Sequence, residues 1–416
     1  MSTRTANPAG TRGKQDIEAE ASAVMMELRE SLLGMIAGLP GATTRAVDLE
    51  RCLGVSRTLG WQIHRLVTNP EPLTAGRHVP GEGAVGQVLR GARSAGVAQR
   101  AVARVEDAMR AFEALVDRHA GDRATFVTML DSLGGDEESP LDLKTRRQAF
   151  RLNSQIWGVQ VKVSLACGIM HPGADPSVYD MAVVRGLGDV RRLRAGAPFQ
   201  VSGQRIVDST RHITVAEDIG EQGAINHAGG ARLLAEYCSR PLPELESRIE
   251  NGCLLTYLRD AQIGNAGSRT IYLADMTRGV KWQSGGDVGN HHIRSATVLK
   301  PIEVLILDTL VYKGMFGAIH PVARVNGTLA RLGVTDPYAY AEDETLPIEP
   351  DLRRLGVGTG ALATPHVPRY REMVESVLSG IGWDPSAFEV FRCVVQYPAL
   401  GSMVQVRFEL PERGNW

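Results

Sequence analysis

Cysteine, lysine and long apolar runs are scarce in this sequence, and the first and last of these scarcities each exclude a class of protein. The 416 residues include five dispersed cysteines without a CxxC pair, so we expect neither a disulfide framework nor a zinc site. No apolar stretch approaches the roughly 18 residues that a transmembrane helix needs. The polar N-terminus also lacks the apolar run of a signal peptide. We therefore expect a cytoplasmic protein that has no membrane partner.

The net charge is also small, but the basic residues are unevenly placed. A formal net charge of −1 excludes polyanion binding driven by overall charge. Between Arg51 and Arg104, however, the sequence contains eight arginines and only two acidic residues, Glu71 and Glu82. Such a local excess suits contact with phosphates. The alternative is an ordinary solvated surface, because arginine is preferred throughout this chain, which has only six lysines.

One stretch, AVDLERCLGVSRTLGWQIHRLV, predicts a helix, a tight turn and a second helix. Leu49 and Leu53 share a face of the first helix because they lie four residues apart. Gly54 can form the left-handed turn, since it carries no Cβ. Val55 would be the buried turn residue, and Ser56 stands where an N-cap belongs.

The second helix of this stretch has distinct inner and outer faces. Leu59, Ile63 and Leu66 point inward, because they follow one another at steps of four and three residues. The outer face carries Arg57, Thr58, Trp61, Gln62 and Arg65. The pattern predicts a helix that packs on one side and presents polar and basic groups on the other.

Residues 46–67 resemble the helix-turn-helix of bacterial DNA-binding proteins, in which the second helix enters the major groove. The LGVSR segment is the most familiar part of the match. The stretch departs from the family pattern twice. Glu50 stands where the family prefers a small residue at the helix crossing, and Gly60 where it usually places a β-branched residue, at a cost of roughly 1 kcal/mol in helix propensity. The alternative is a plain helical hairpin that binds no nucleic acid.

The resemblance implies a DNA-contacting surface on and around the second helix. Arg57, Thr58, Gln62 and Arg65 would face the bases, since arginine suits guanine and glutamine suits adenine. Trp61 would pack on the sugar–phosphate backbone or cap the core. The remaining candidates are Ser56, at the start of the helix, and the phosphate-contacting Arg51, Arg77 and Arg90. A homodimer is expected, because one helix reads only a few base pairs.

Composition and periodicity divide the chain into two domains. Residues 1–15 are polar and are predicted to be disordered. Residues 16–133 are predicted to be all-helical, beginning with an amphipathic helix over 16–39 and including the helix-turn-helix. Further helices are predicted over 84–94, 98–119 and 122–133, after a loop over 69–83. Residues 134–140 form a flexible acidic linker, and residues 141–416 form the second domain.

The second domain changes from a helical to a mainly alternating pattern. The segment 143–167 starts as a helix and becomes a strand near Gly158. Alternating or apolar strand patterns occur at 181–193, 199–207, 253–263, 270–276, 295–299, 302–307, 388–396 and 403–410, with a helix at 369–381. Residues 264–267 predict a hairpin turn, and residues 302–307 a central buried strand. The predicted fold class is α+β: an N-terminal all-α helix-turn-helix domain followed by a larger mixed, mostly antiparallel α+β domain.

The second domain offers no strong catalytic constellation, and no cofactor is expected. His291 and His292 are the most suggestive pair, although neighbouring strand residues face opposite sides. The glycine-rich residues 356–360 lack the apolar strand that precedes a dinucleotide site. Asp308 and Glu303 bracket the buried strand. One alternative for such a carboxylate is an acid with a raised pKa, but pairing with an arginine is the commoner arrangement. The same expectation covers Glu217, Asp218, Glu221 and His227.

These observations predict a sequence-specific DNA-binding protein of the transcriptional regulator type, with double-stranded DNA as its partner. By analogy with regulators, the second domain would sense a small-molecule effector or form a homo-oligomer. One alternative is an enzyme with a pocket near His291 or His292 that also contains a carboxylate. A further alternative is a structural, self-assembling protein, which requires a large apolar and self-complementary surface.

Overall fold

The computed structural model describes most of the chain as two compact units, Met1–Ser139 and Pro140–Trp416. The described residues are 8–41, 44–134, 141–196, 199–205, 232–250, 253–259, 262–281, 291–316, 319–327 and 344–409. Residues 1–7, the 135–140 part of the predicted linker, and the acidic and histidine candidates at 217–227 lie outside this set. Each unit has its own hydrophobic core.

The described part of the first unit is helical throughout. Its α-helices are Pro8–Ala37 (α1), Ala46–Leu53 (α2), Arg57–Thr68 (α3), Pro72–Ala75 (α4), Glu82–Ser94 (α5), Gln99–His119 (α6) and Arg123–Gly134 (α7). The core lies where α1, α6 and α7 meet, and includes Met25, Leu28, Phe112 and Phe126. Among the described residues, no helix combines the length and the apolar character needed to cross a membrane.

Two segments of the first unit are more helical than expected. Helix α1 already begins at Pro8, so the described part of the tail predicted as disordered is helical. Proline is tolerated at a first helical position, and each residue added to an existing helix gains a backbone hydrogen bond. The predicted loop after Asn69 contains α4 and a single 3₁₀ turn, Gly76–His78. Pro72 occupies the first position of α4 and starts that helix.

The second unit begins with one helix and continues mainly as strands. Its α-helices are Leu143–Trp157 (α8) and Tyr370–Gly380 (α9). Its strands are Val159–Pro172 (β1), Val178–Arg192 (β2), Gln200–Arg205 (β3), Arg232–Leu233 (β4), Leu245–Glu250 (β5), Cys253–Leu258 (β6), Arg269–Lys281 (β7), His291–Thr297 (β8), Ile302–Tyr312 (β9), Val322–Gly327 (β10), Asp351–Val357 (β11), Phe388–Gln396 (β12) and Ser402–Glu409 (β13). The predicted change from helix to strand occurs at Gly158, which ends α8 with a left-handed backbone.

The strands form three sheets. The central sheet has the order β11-β12-β9-β1-β2-β7-β4, and the covering sheet has the order β10-β13-β8. A third sheet has the order β3-β6-β5. The described pairs are antiparallel except that of β1 with β9, which is parallel. The predicted α+β class with mostly antiparallel strands is therefore confirmed.

The central sheet is packed on both faces. On one face, Met373 and Val377 of α9 join a core with Leu165 and Ile306 of the sheet. On the other face, the covering sheet contributes its own apolar residues to a second core, which includes Val404, Val406 and Phe408. Strand β9 therefore has apolar neighbours on both sides. The prediction of a central buried strand at 302–307 is confirmed, because a strand covered on both faces reads as a continuous apolar run.

The predicted hairpin at 264–267 is wrong. Strands β6 and β7 flank this segment, yet β6 lies in the third sheet and β7 in the central sheet. Residues Asn265–Gly267 form a 3₁₀ turn between the two sheets. Gly264 does have the positive φ that its position suggested, at 72°. The glycines determine a local turn, but they do not determine which strands pair, because strand pairing depends on residues outside the turn.

A buried ion pair joins two strands of the central sheet beneath α9. Asp308 of β9 is fully buried and lies opposite Arg392 of β12. The Nε and Nη2 atoms of Arg392 donate to this carboxylate at 3.0 and 2.8 Å, and the Tyr370 hydroxyl of α9 donates to it at 2.9 Å. Burial raises the pKa of Asp308, although both partners favour its charged form. The expected pairing of Asp308 with an arginine is confirmed.

Removing the cation of this pair should destabilise the second unit. We expect Arg392→Met to lower the free energy of unfolding by about 3–5 kcal/mol at neutral pH, because a buried carboxylate then lacks its partner. The folded-state pKa of Asp308 already lies above the unfolded value and should rise further in the variant. The loss should therefore be smallest in acid and grow as pH rises through the folded-state pKa. Urea unfolding at about pH 4 and about pH 7 measures the difference.

Arg353→Met is the matched control for this prediction. Arg353 pairs with Asp351 at 2.7 Å, but both side chains are exposed. We expect little change in stability, because water screens the pair. A similar loss in both variants would show that burial of the Asp308 pair is not the cause.

Candidate nucleic-acid interface

A tight turn centred on Gly54 joins α2 to α3. Gly54 ends α2 with φ 60° and ψ 34°, a left-handed backbone that favours glycine. Val55 is buried, and its N–H donates to the Glu50 carbonyl at 3.2 Å. The Ser56 side chain accepts from the Leu59 N–H at 3.3 Å and caps α3. The turn is therefore closed by backbone and side-chain hydrogen bonds.

The crossing of α2 and α3 explains the two departures from the family pattern. A Cβ atom on Gly60 would lie 2.7 Å from the Ala46 carbonyl oxygen and 3.4 Å from the Glu50 Cβ. The absence of a side chain at Gly60, on the second helix, therefore allows the two helices to approach closely. Glu50 can then carry a full side chain. The low helix propensity of Gly60 is offset by the packing that this approach allows.

Contacts with the rest of the unit hold α3 in place. Leu59, Ile63 and Leu66 are buried in the core, as their spacing predicted. The His64 Nδ1 lies 2.8 Å from the Thr44 carbonyl oxygen, before α2 begins. The Nε of Arg29, on α1, donates to the Val67 carbonyl near the end of α3 at 3.0 Å. Both contacts tie the C-terminal half of α3 to other segments.

The outer face of α3 presents a polar and basic surface with one large aromatic ring. Arg57, Thr58 and Arg65 are exposed, and Gln62 is half-buried. Trp61 is 47% exposed. Its ring meets the His78 ring edge to face, with centroids 5.4 Å apart. The Arg65 guanidinium carbon lies 6.0 Å from the Trp61 ring centroid.

The other candidate arginines lie on three different elements, α2, the 3₁₀ turn after α4, and α5. Arg51 is exposed on α2, 3.9 Å from Asp48. Arg77 is exposed on the 3₁₀ turn that also carries His78, the ring partner of Trp61. Arg90 is exposed on α5. The next residue, Gly91, packs against Leu53 at the end of α2 so closely that a Cβ atom would not fit. The structure thus places a basic residue on each of three elements near the helix pair.

Arg93 and Arg104 of the basic stretch form ion pairs with acidic residues of other helices. Arg93 binds Glu106, and Arg104 binds Glu27 at 2.8 Å. Their charge is compensated by partners on α6 and α1, so they are weaker candidates for phosphate contact. The local excess of positive charge is therefore concentrated around α2, α3 and the 3₁₀ turn that follows α4.

The second unit places its sequence candidates in the space between the sheets. His292 packs among the rings of Tyr179, Phe316 and Phe408. Burial, aided by Arg294, lowers the pKa of His292 to about 3, so the ring is neutral near pH 7. The His291 side chain lies outside the described residues. A neutral histidine packed against rings has the character of a core residue.

Sequence reasoning missed a polar cluster on the same inner face. Arg294 follows His292 by two residues on β8, and the period of a strand places both on one side. That period was the available signal. The period could not reveal which charged residues lie near Arg294, because Arg185 and Asp275 come from β2 and β7. These strands are neighbours in the central sheet although they are distant in the sequence.

Comparison with known proteins identifies no family. No family model matches the chain, and the search of curated proteins gave no match. The function is therefore inferred from the residues and from their arrangement.

Substitution of Gly60 tests the helix crossing. We expect Gly60→Ala to lower the free energy of unfolding by about 1–3 kcal/mol, because the new methyl group overlaps the Ala46 carbonyl. The matched control is Gly34→Ala in α1, where nothing lies within 4 Å of the added atom. That variant should be more stable by up to about 1 kcal/mol, from helix propensity alone. Urea unfolding followed by circular dichroism measures both variants. A change in the free energy of unfolding of the same sign in both would contradict the close approach of the helices at Gly60.

Proposed function

We propose that this protein binds double-stranded DNA sequence-specifically through α3, as a transcriptional regulator. The supporting observation is the combination of a rigidly held α3 with an outer face of Arg57, Thr58, Trp61 and Arg65. A helix that served only as a core element would have no need of an exposed tryptophan between two arginines. The Ser56 cap and the Gly60 crossing fix this face relative to the rest of the unit.

The length of the exposed face suits the major groove. Arg57 and Arg65 are eight residues apart on α3, which corresponds to about 12 Å along a helix axis. This distance spans between three and four base pairs at about 3.4 Å each. Both arginines can donate two hydrogen bonds to guanine, and Gln62 can pair with adenine. Thr58 can contact either a base edge or a thymine methyl group.

The surrounding groups would hold the backbone of the duplex. Arg51, Arg77 and Arg90 supply positive charge from three other elements, which gives affinity without sequence information. The N-terminus of α3, capped by Ser56, adds backbone N–H groups and the positive end of the helix dipole. Trp61 would pack against the sugar–phosphate backbone.

The proposal extends to the assembly and to the second unit. A single α3 reads few base pairs, so a homodimer would be needed to read two half-sites. The second unit would supply the regulatory part, as a ligand-sensing or oligomerisation domain. A cytoplasmic location, where the DNA of a bacterial cell is accessible, belongs to the same proposal.

Fluorescence anisotropy of the full chain with labelled duplex DNA tests the proposal. We expect binding that weakens linearly with the logarithm of the salt concentration, because phosphate contacts release counterions. Arg57→Ala combined with Arg65→Ala should weaken binding by about tenfold or more, since each arginine contributes about 1–3 kcal/mol at a base contact. The salt slope should also fall.

The matched control removes the same charge elsewhere. Arg147 and Arg151 are exposed on α8 of the second unit. The Arg147→Ala and Arg151→Ala double variant should retain the affinity and the salt slope. Loss in both double variants would show a response to overall charge only, and absence of binding to random duplex at low salt would overturn the proposal.

A further inference from the structure

The inner face of the central sheet carries a row of residues that faces the covering sheet. Thr309, Gly168, Val183 and Asp275 are successive partners across β9, β1, β2 and β7. Arg294 extends from β8 of the covering sheet over the middle of this row. A Cβ on Gly168 would lie 2.6 Å from the Arg294 Nε, so the guanidinium fits only because Gly168 has no side chain.

The charges in this space do not balance. Arg185 of β2 binds Asp275, a carboxylate that is almost fully buried. Among the described residues, the Arg294 side chain has a single hydrogen bond, from Nη1 to the Met181 sulfur at 3.3 Å. A thioether is a weak acceptor for a guanidinium. Arg294 interacts electrostatically with both Arg185 and Asp275, so among the described residues of this space there are two cationic side chains for one carboxylate.

Three buried polar side-chain atoms on or above this row have no hydrogen-bond partner within the part of the chain that the structure describes. They are the Nε of Arg185, the Nε of Arg294 and the Oγ1 of Thr309. Thr309 is only 1% exposed. A guanidinium N–H can only donate, so two neighbouring arginines cannot satisfy each other. Buried donors are normally paired, and a cluster that lacks acceptors and carries excess positive charge is suited to an anion.

We propose that the second unit binds a small oxyanion, a carboxylate or a phosphate group, between the central and covering sheets. Arg185 and Arg294 would donate to its oxygens. Planar guanidinium groups match both kinds of oxyanion. Asp275 would orient Arg185, and Gly168 would keep the Arg294 guanidinium within the site. Both arginine residues are partly exposed.

This inference goes beyond DNA binding, because it concerns the second unit alone. It names a ligand class for the effector-sensing role, but anion binding here does not require α3 to contact DNA. The two proposals can therefore fail independently.

Isothermal titration calorimetry of the full chain without DNA tests the site. Inorganic phosphate and malonate are titrated separately at constant ionic strength, with chloride as the reference salt. We expect saturable binding of at least one of them, with one site per chain. Arg294→Met should weaken this binding by about tenfold or more. Preference for malonate or phosphate then distinguishes a carboxylate ligand from a phosphorylated one.

Three further variants keep the test sharp. Gly168→Ala should also weaken binding, because the added methyl group displaces the Arg294 guanidinium. Arg353→Met, an exposed arginine on β11, should bind as the wild type does. The Arg57→Ala and Arg65→Ala double variant should also retain binding, which separates this site from α3. The proposal would be overturned if neither phosphate nor malonate gave a heat of binding above that of chloride in the wild type. Unchanged binding in Arg294→Met would also overturn it.

Discussion

The ion pair between Asp308 and Arg392 lies where the main elements of the second unit meet. Asp308 is on the central strand β9, Arg392 is on its neighbour β12, and Tyr370 brings α9 onto the same carboxylate. A buried charge is costly unless it is paired and hydrogen-bonded. This site meets that condition, so sheet pairing and helix docking are coupled: displacing either element would leave a charge buried without its partner.

The opposite face of the central sheet shows what happens when this condition is not met. Arg185 binds the Asp275 carboxylate, Arg294 adds a second positive charge nearby, and in the described part of the chain the Nε atoms of both arginines have no acceptor. Both faces thus carry arginine side chains next to a buried aspartate, but in different proportions. One arrangement is complete and serves stability. The other is short of negative charge, which is why an oxyanion is the ligand that its chemistry would accept.

In the first unit, the corresponding constraint is steric. Helices α2 and α3 approach so closely that Gly60 has no room for a Cβ atom. This contact orients α3, and its orientation decides that Trp61 and Arg65 face outward. A residue whose low helix propensity argued against a recognition helix is thus the one that allows the helix pair to pack. The packing at the helix crossing therefore explains why a glycine occupies this position.

Local spacing in the sequence was enough to determine the α+β class, the helix–turn–helix boundaries near Gly54 and the buried strand at 302–307. These features follow from backbone periods and from residues that act on their own neighbours. Only the tertiary structure decided that β6 and β7 join different sheets. It also decided that Arg294 of β8 interacts electrostatically with Arg185 and Asp275. Such contacts link residues far apart in the chain, and a local pattern does not record which distant strand becomes a neighbour.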